Sequence, residues 1–178
     1  MPPYADCNDA KDKTLIEPIS DFVPIVLSSE TYVRYVETLL ATIDGWCKRQ
    51  GLTVESGFKT IKEGGKAEYE APSRDLSTDG RPLAKLVPIG THLIGVQGRV
   101  DLVGRVTKHS FVLCVGTDPL LSTRDVVGGK IPRSSSFLRR SRTSGDGWYW
   151  IESVVLRAKR IDEDLFLDLL TDVSDYEF

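Results

Sequence analysis

The segment from Val126 to Gly145 carries the residues best suited to binding chemistry, because it combines bases with hydroxyl groups and has no acidic residue. Arginine binds phosphate groups through two parallel hydrogen bonds, and serine hydroxyls add further donors. The segment therefore predicts a phosphate-binding arm or a contact for an acidic protein partner. A solvated loop, or a loop lying across acidic residues of its own chain, is the alternative. Its bases are Lys130, Arg133, Arg139, Arg140 and Arg142.

Three aromatic residues, Trp148, Tyr149 and Trp150, follow this segment directly. On a strand, the two tryptophans share one face and the tyrosine takes the other. Tryptophan is enriched in binding hot spots, so we predict that Trp148 and Trp150 bind a partner together with the five bases. Burial of all three rings in the core is the alternative.

Asp101 lies in a strand-like stretch, Gly98 to Gly104, which precedes a turn and the apolar run Phe111 to Val115. Together with the long helix before it, this hairpin resembles the core of the PD-(D/E)XK nuclease superfamily. In that superfamily an aspartate on one strand and an acid-x-lysine triplet on the next bind a divalent metal. Asp101 would take the aspartate position, but Leu113-Cys114-Val115 stands in place of the triplet. The resemblance therefore implies an inactive, binding-only scaffold without catalytic residues, metal or cofactor.

The remaining reactive side chains form no recognisable catalytic or metal-binding motif. His92 and His109 are far apart and lack the spacing of metal-binding histidines. Cys7, Cys47 and Cys114 are an odd number at wide spacing, which indicates neither a disulfide framework nor a zinc site. This cysteine usage favours a cytoplasmic protein.

Charge is sorted along the chain. Residues 1–80 carry nine bases and fourteen acids, residues 81–160 carry fourteen bases and five acids, and residues 161–178 carry seven acids and no base. Segregated charge indicates either an oppositely charged partner or pairing within the chain. The overall charge of −3 is unlike that of a dedicated nucleic-acid-binding protein, which is usually basic.

Two helices are expected, one near each end of the chain. From about Ser29 to Gln50, apolar residues recur at spacings of three and four, which predicts an amphipathic helix capped by Ser28 or Ser29. Asp162 is expected to cap a second, shorter helix that runs to about Leu170.

Between the helices, the pattern predicts a mostly antiparallel sheet of three to five strands, and therefore an α+β fold. The clearest part is a hairpin within Leu86 to Gly116, whose second strand is expected to be covered on both faces. We expect a flexible tail at 1–17, one domain at 18–174 that includes a long basic loop at 117–147, and an acidic end at 175–178.

These observations favour a non-enzymatic cytosolic protein-interaction module of adaptor, immunity or chaperone type. Its contacts are expected from the basic loop and the acidic C-terminal helix. The alternative is a nucleic-acid-binding protein that binds phosphates through the arginine cluster, with or without the inactive nuclease-like scaffold. No membrane association is expected, since no apolar run is long enough. Self-association of the basic arm with the acidic tail of a second copy is a further expectation.

Overall fold

The computed structural model of the protein describes residues 27–91, 96–115, 145–152 and 157–177. The expected tail at 1–17 and most of the expected basic loop, residues 117–144, lie outside the described residues. The elements are α1 (Ser29–Arg49), β1 (Thr53–Ile61), β2 (Tyr69–Thr78), β3 (Arg81–Gly90), β4 (Gly98–Gly104), β5 (Lys108–Cys114), β6 (Gly147–Glu152), β7 (Arg157–Arg160) and α2 (Glu163–Ser174).

The strands form one seven-stranded sheet in which each strand pairs with its neighbours in sequence order. All six pairings are antiparallel. Two helices and an antiparallel sheet confirm the α+β class. The expectation of three to five strands was wrong, since the described residues alone contain seven.

Three prolines make β2 and β3 hard to recognise as strands from the sequence. Pro72, Pro82 and Pro88 lie inside these strands, although proline lacks the N–H that a ladder requires. The strands are staggered, so each proline lies where its strand is paired on one side only. Pro72 is paired only with β1, Pro82 only with β2 and Pro88 only with β4. On the side of each proline where no neighbouring strand is paired, the missing proline N–H therefore leaves no ladder hydrogen bond unmade.

Both helices pack on one face of the sheet. Helix α1 begins as expected, with the Ser28 hydroxyl accepting a hydrogen bond from the Thr31 N–H at 3.2 Å, and ends at Arg49. Within the described ranges, neither helix is long and apolar enough to cross a membrane. The helices bury Tyr32, Val36, Leu39, Leu40, Ile43, Cys47, Phe166, Leu169, Leu170 and Val173.

Strand β5 is buried on both faces, as its continuous apolar sequence predicted. Phe111 and Leu113 belong to the main core under the helices. Val112 and Cys114 belong to a second, smaller apolar cluster with Val96 and Tyr149. All four β5 residues are at most 1% exposed.

Candidate interaction site

The structure describes only two of the seven residues predicted to bind a partner. Lys130, Arg133, Arg139, Arg140 and Arg142 lie outside the described residues, so their role stays a prediction. The other two, Trp148 and Trp150, lie on β6.

Both tryptophans face the helices, and neither presents its full ring to solvent. Trp148 is only 8% exposed, and its indole N–H donates to the Tyr35 carbonyl of α1 at 3.2 Å. It also lines a groove of about 290 Å³ between α1 and the end of the sheet. Trp150 is half-buried, with the ammonium of Lys159 lying 5.5 Å from its ring centre. Trp148 could therefore contact a partner only through the small exposed part of its ring that lines this groove.

Asp101 is held in a closed set of hydrogen bonds on the sheet face opposite the helices. The Arg99 guanidinium contacts both of its carboxylate oxygens, at 2.6 and 2.8 Å, and the Ser110 hydroxyl donates at 2.9 Å. Asp101 is 4% exposed. A buried carboxylate requires such compensation, and here arginine supplies it. Within the described ranges, no group of three or more acidic, histidine or cysteine side chains is placed to hold a metal ion.

His109 links β5 to α2 and to β6. The indole N–H of Trp150 donates to His109 Nδ1 at 3.3 Å, so in the neutral ring the proton lies on Nε2. Nε2 lies 2.6 Å from a carboxylate oxygen of Asp172 and donates to it. Because both ring nitrogens are engaged, His109 fastens the helix to the sheet rather than offering a free base.

A second buried polar cluster ties the β1–β2 turn to the end of β3. The Glu63 carboxylate accepts hydrogen bonds from the backbone N–H and the hydroxyl of Thr91 and lies 3.2 Å from the Lys66 ammonium. The Tyr69 hydroxyl is buried beside them and makes no hydrogen bond of good geometry within the described residues. Burial, followed by the nearby Glu63 carboxylate, raises the pKa of Tyr69 to about 12. The cluster therefore joins the β1–β2 turn to the end of β3 through Glu63, with a buried and protonated Tyr69 phenol beside it.

The exposed face of α2 carries an acidic row, Asp164, Asp168 and Asp172, spaced four residues apart. Residues at this spacing are neighbours on a helix surface. All three side chains are exposed, whereas the opposite face of the helix is buried in the core. Asp172 is 61% exposed despite its bond to His109. The helix therefore displays a fixed line of negative charge to solvent.

The C-terminal end of α2 adds to this negative potential. Its last turn contains no basic residue, and Asp175 follows it in a left-handed conformation. The helix dipole is itself negative at this end. Arg105 approaches Asp175 only to 3.9 Å, and both side chains are more than three-quarters exposed. At the other end, Glu163 pairs with Arg49 of α1 at 2.6 Å.

The acidic row could have been recognised in the sequence, because the spacing of four is visible once the helix is assigned. We predicted an acidic C-terminal helix that contributes contacts, but we did not place the aspartates in one row on a single face. The groove beside Trp148 left no comparable signal, since its walls come from α1 and β6, far apart in the chain.

Comparisons with protein-family models, with curated proteins and with solved structures each gave no match. The functional argument therefore rests on the described surfaces of the molecule.

Proposed function

We propose that this protein is a non-enzymatic interaction module whose acidic row, Asp164, Asp168 and Asp172, binds a basic segment of a partner protein. The observation that carries the proposal is the position of three like charges in one line on an exposed helix face. Like charges at this spacing destabilise a helix, typically by about 0.2–0.5 kcal/mol per pair. Such a row lowers stability, and features that break a local rule in this way are typical of functional sites.

The C-terminal end of α2 supports the same proposal. Asp172 lies in the last turn and Asp175 just beyond it, where cations rather than anions stabilise a helix. Asp172 bonds to His109 but remains largely exposed, so its negative charge stays accessible to a partner. A lysine- or arginine-rich partner segment would relieve both the repulsion within the row and the unfavourable interaction with the dipole.

A cytoplasmic location and a contribution from the basic loop at 117–147 remain parts of the proposal. Because basic and acidic residues occupy separate parts of the chain, the basic partner of α2 is either another protein or the basic loop of the same chain. The nucleic-acid alternative depends on Lys130, Arg133, Arg139, Arg140 and Arg142, and no described feature favours it over a protein partner.

A binding titration tests the proposal. We expect a fluorescently labelled oligo-arginine peptide to bind the full chain at low ionic strength, with affinity falling as salt is added. Neutralising Asp164 and Asp168 together, as Asp164→Asn/Asp168→Asn, should weaken binding roughly fivefold, since two exposed pairs contribute about 0.5 kcal/mol each.

The matched control removes the same charge elsewhere. Glu37 and Glu70 are exposed and make no ion pair within the described residues, so Glu37→Gln/Glu70→Gln should leave peptide affinity nearly unchanged. Equal weakening by both double variants would mean that only net charge matters, and would overturn the assignment to α2. Absence of peptide binding, with a labelled DNA duplex bound instead, would replace the proposal with the nucleic-acid alternative.

A further inference from the structure

The two edges of the sheet differ in how well they are protected against pairing with another strand. Strand β7 is only four residues long, and three of them are basic. Short, charged edges of this kind prevent edge-to-edge association. Strand β1 is nine residues long and carries one acid, Glu55, and one base, Lys59. Within the part of the chain that the structure describes, β1 is therefore the less protected edge.

Strand β1 also carries the most exposed large apolar side chain of the described residues. Phe58 is 74% exposed in the middle of the strand. The only strand that pairs with β1 in the described sheet is β2, so its outer N–H and C=O groups have no strand partner there. A long edge with an exposed aromatic ring is a template for an additional strand.

The charges on this edge are self-complementary in a single antiparallel register. When two copies of β1 pair around a two-fold axis at Gly57, Glu55 of each copy lies directly opposite Lys59 of the other. A shift of the register by one residue in either direction removes both of these pairs. Opposite charges facing each other across antiparallel strands stabilise the pairing, and like charges destabilise it.

The same register would also cover the exposed side chain of Phe58. Ser56 of the second copy lies directly opposite Phe58, and the two Phe58 side chains become diagonal neighbours on the same face of the joined sheet. Diagonal neighbours lie about 7–8 Å apart, within reach of aromatic side chains. Gly57 lies at the two-fold axis and has no side chain that would obstruct the close approach of the two strands. Each exposed ring would thus be covered by the equivalent residue of the partner.

We infer that the protein forms a symmetric homodimer in which two β1 strands pair antiparallel around Gly57, joining two sheets of seven strands into one. This inference uses the β1 edge of the sheet, whereas α2 packs on the central strands β3, β4 and β5, and it does not depend on the proposed function. The interface of one strand pair is small, so the dimer is expected to dissociate on dilution.

Sedimentation velocity of the full chain over a range of concentrations tests the inference. The wild-type chain should shift from monomer to dimer as concentration rises. Lys59→Glu places glutamate opposite Glu55 twice per dimer, and Glu55→Lys places lysine opposite Lys59. Each variant should weaken the dimer about tenfold or more, whereas the exchange Glu55→Lys/Lys59→Glu should restore it.

The restored dimer distinguishes the specific register from general damage to the strand. Lys85→Glu changes charge in the same way on an exposed residue of β3 and should leave the dimer intact. A wild-type chain that stays monomeric would overturn the inference and leave the edge to a strand from another protein. A dimer unaffected by both single charge reversals would equally overturn it, because self-association would then use another surface.

Discussion

Gly104 lies directly against the backbone of Val173. A Cβ atom at position 104 would overlap the Val173 carbonyl group and would lie 2.7 Å from the Val173 Cβ. The same carbonyl oxygen accepts a hydrogen bond from the Val106 N–H at 2.9 Å. The last turn of α2 is therefore docked on the end of β4 through close backbone approach, which holds the acidic row at a fixed angle to the sheet.

Gly104→Ala should consequently destabilise the protein. The methyl group overlaps backbone atoms, which cannot move aside as a flexible side chain can, so we expect a loss of about 1–3 kcal/mol in the free energy of unfolding. Urea denaturation measures this loss. Gly64→Ala is the control, since a Cβ there meets no atom within 4 Å. Equal stability of both variants would show that α2 docks differently.

Local patterns were sufficient to predict the helices but not the extent of the sheet. The spacing of apolar residues in α1 and the Asp162 cap of α2 are properties of neighbouring residues, and both features are present in the structure. Besides the prolines in β2 and β3, strand β2 breaks the alternation rule because Arg74 faces α1, where it pairs with Asp44 at 3.0 Å. A charged residue buried against a helix cannot be recognised from strand periodicity alone.

The same distinction between local patterns and long-range contacts applies to the functional surfaces. The acidic row depends only on helix periodicity, so the sequence contains the information needed to find it. The bond between His109 and Asp172 joins residues 63 positions apart, and the pair Arg49–Glu163 joins residues 114 positions apart. Such partners are determined by where the two helices pack on the sheet, which the order of charges along the chain does not reveal.

The Arg99–Asp101 pair is expected to be structural, so its two members should be strongly coupled. Arg99→Leu leaves the Asp101 carboxylate buried without its cation, and we expect a loss of about 3 kcal/mol in stability. The double variant Arg99→Leu/Asp101→Leu should be less destabilised than the sum of the two single variants. Urea denaturation of all three proteins completes the cycle.

An exposed ion pair provides the control for this cycle. Lys85 and Asp75 lie 3.0 Å apart, but both side chains are more than half exposed. Lys85→Leu should therefore change stability by less than about 1 kcal/mol. Additive effects of the two substitutions at 99 and 101 would contradict a coupled, buried pair.

The two described thiols should be unreactive in the folded protein. Burial raises the pKa of Cys47 and of Cys114 to about 12. Reactivity requires the thiolate, which both residues would form only on unfolding. In a Cys7→Ser variant, a disulfide-exchange reagent should label no thiol in the native state and two thiols in denaturant. Rapid native-state labelling of either cysteine would contradict its burial.

The same pKa shifts make stability depend on alkaline pH. The unfolded chain loses its thiol protons near pH 8.5, whereas the folded chain keeps them to about pH 12. Above about pH 8.5 the unfolded state binds fewer protons, so stability falls as pH rises, by at most about 1.4 kcal/mol per pH unit and per thiol. Urea denaturation of Cys114→Ala at a series of pH values should show a shallower decline than the parent protein.

Asp168 occupies the middle of the acidic row, with one aspartate four residues before it and another four residues after it. Asp168→Asn removes both repulsions, so we expect it to stabilise the protein by roughly 0.4–1 kcal/mol in thermal or urea unfolding. Asp164→Asn removes the same charge from the first turn of α2, where an anion is favourable, and should give no such gain. If the row exists for binding, Asp168→Asn should also weaken the oligo-arginine peptide, so that one substitution raises stability and lowers affinity. If Asp168→Asn raises neither the stability nor the dissociation constant of the peptide, the three aspartates act independently. That result would contradict the proposal that the row is a binding site.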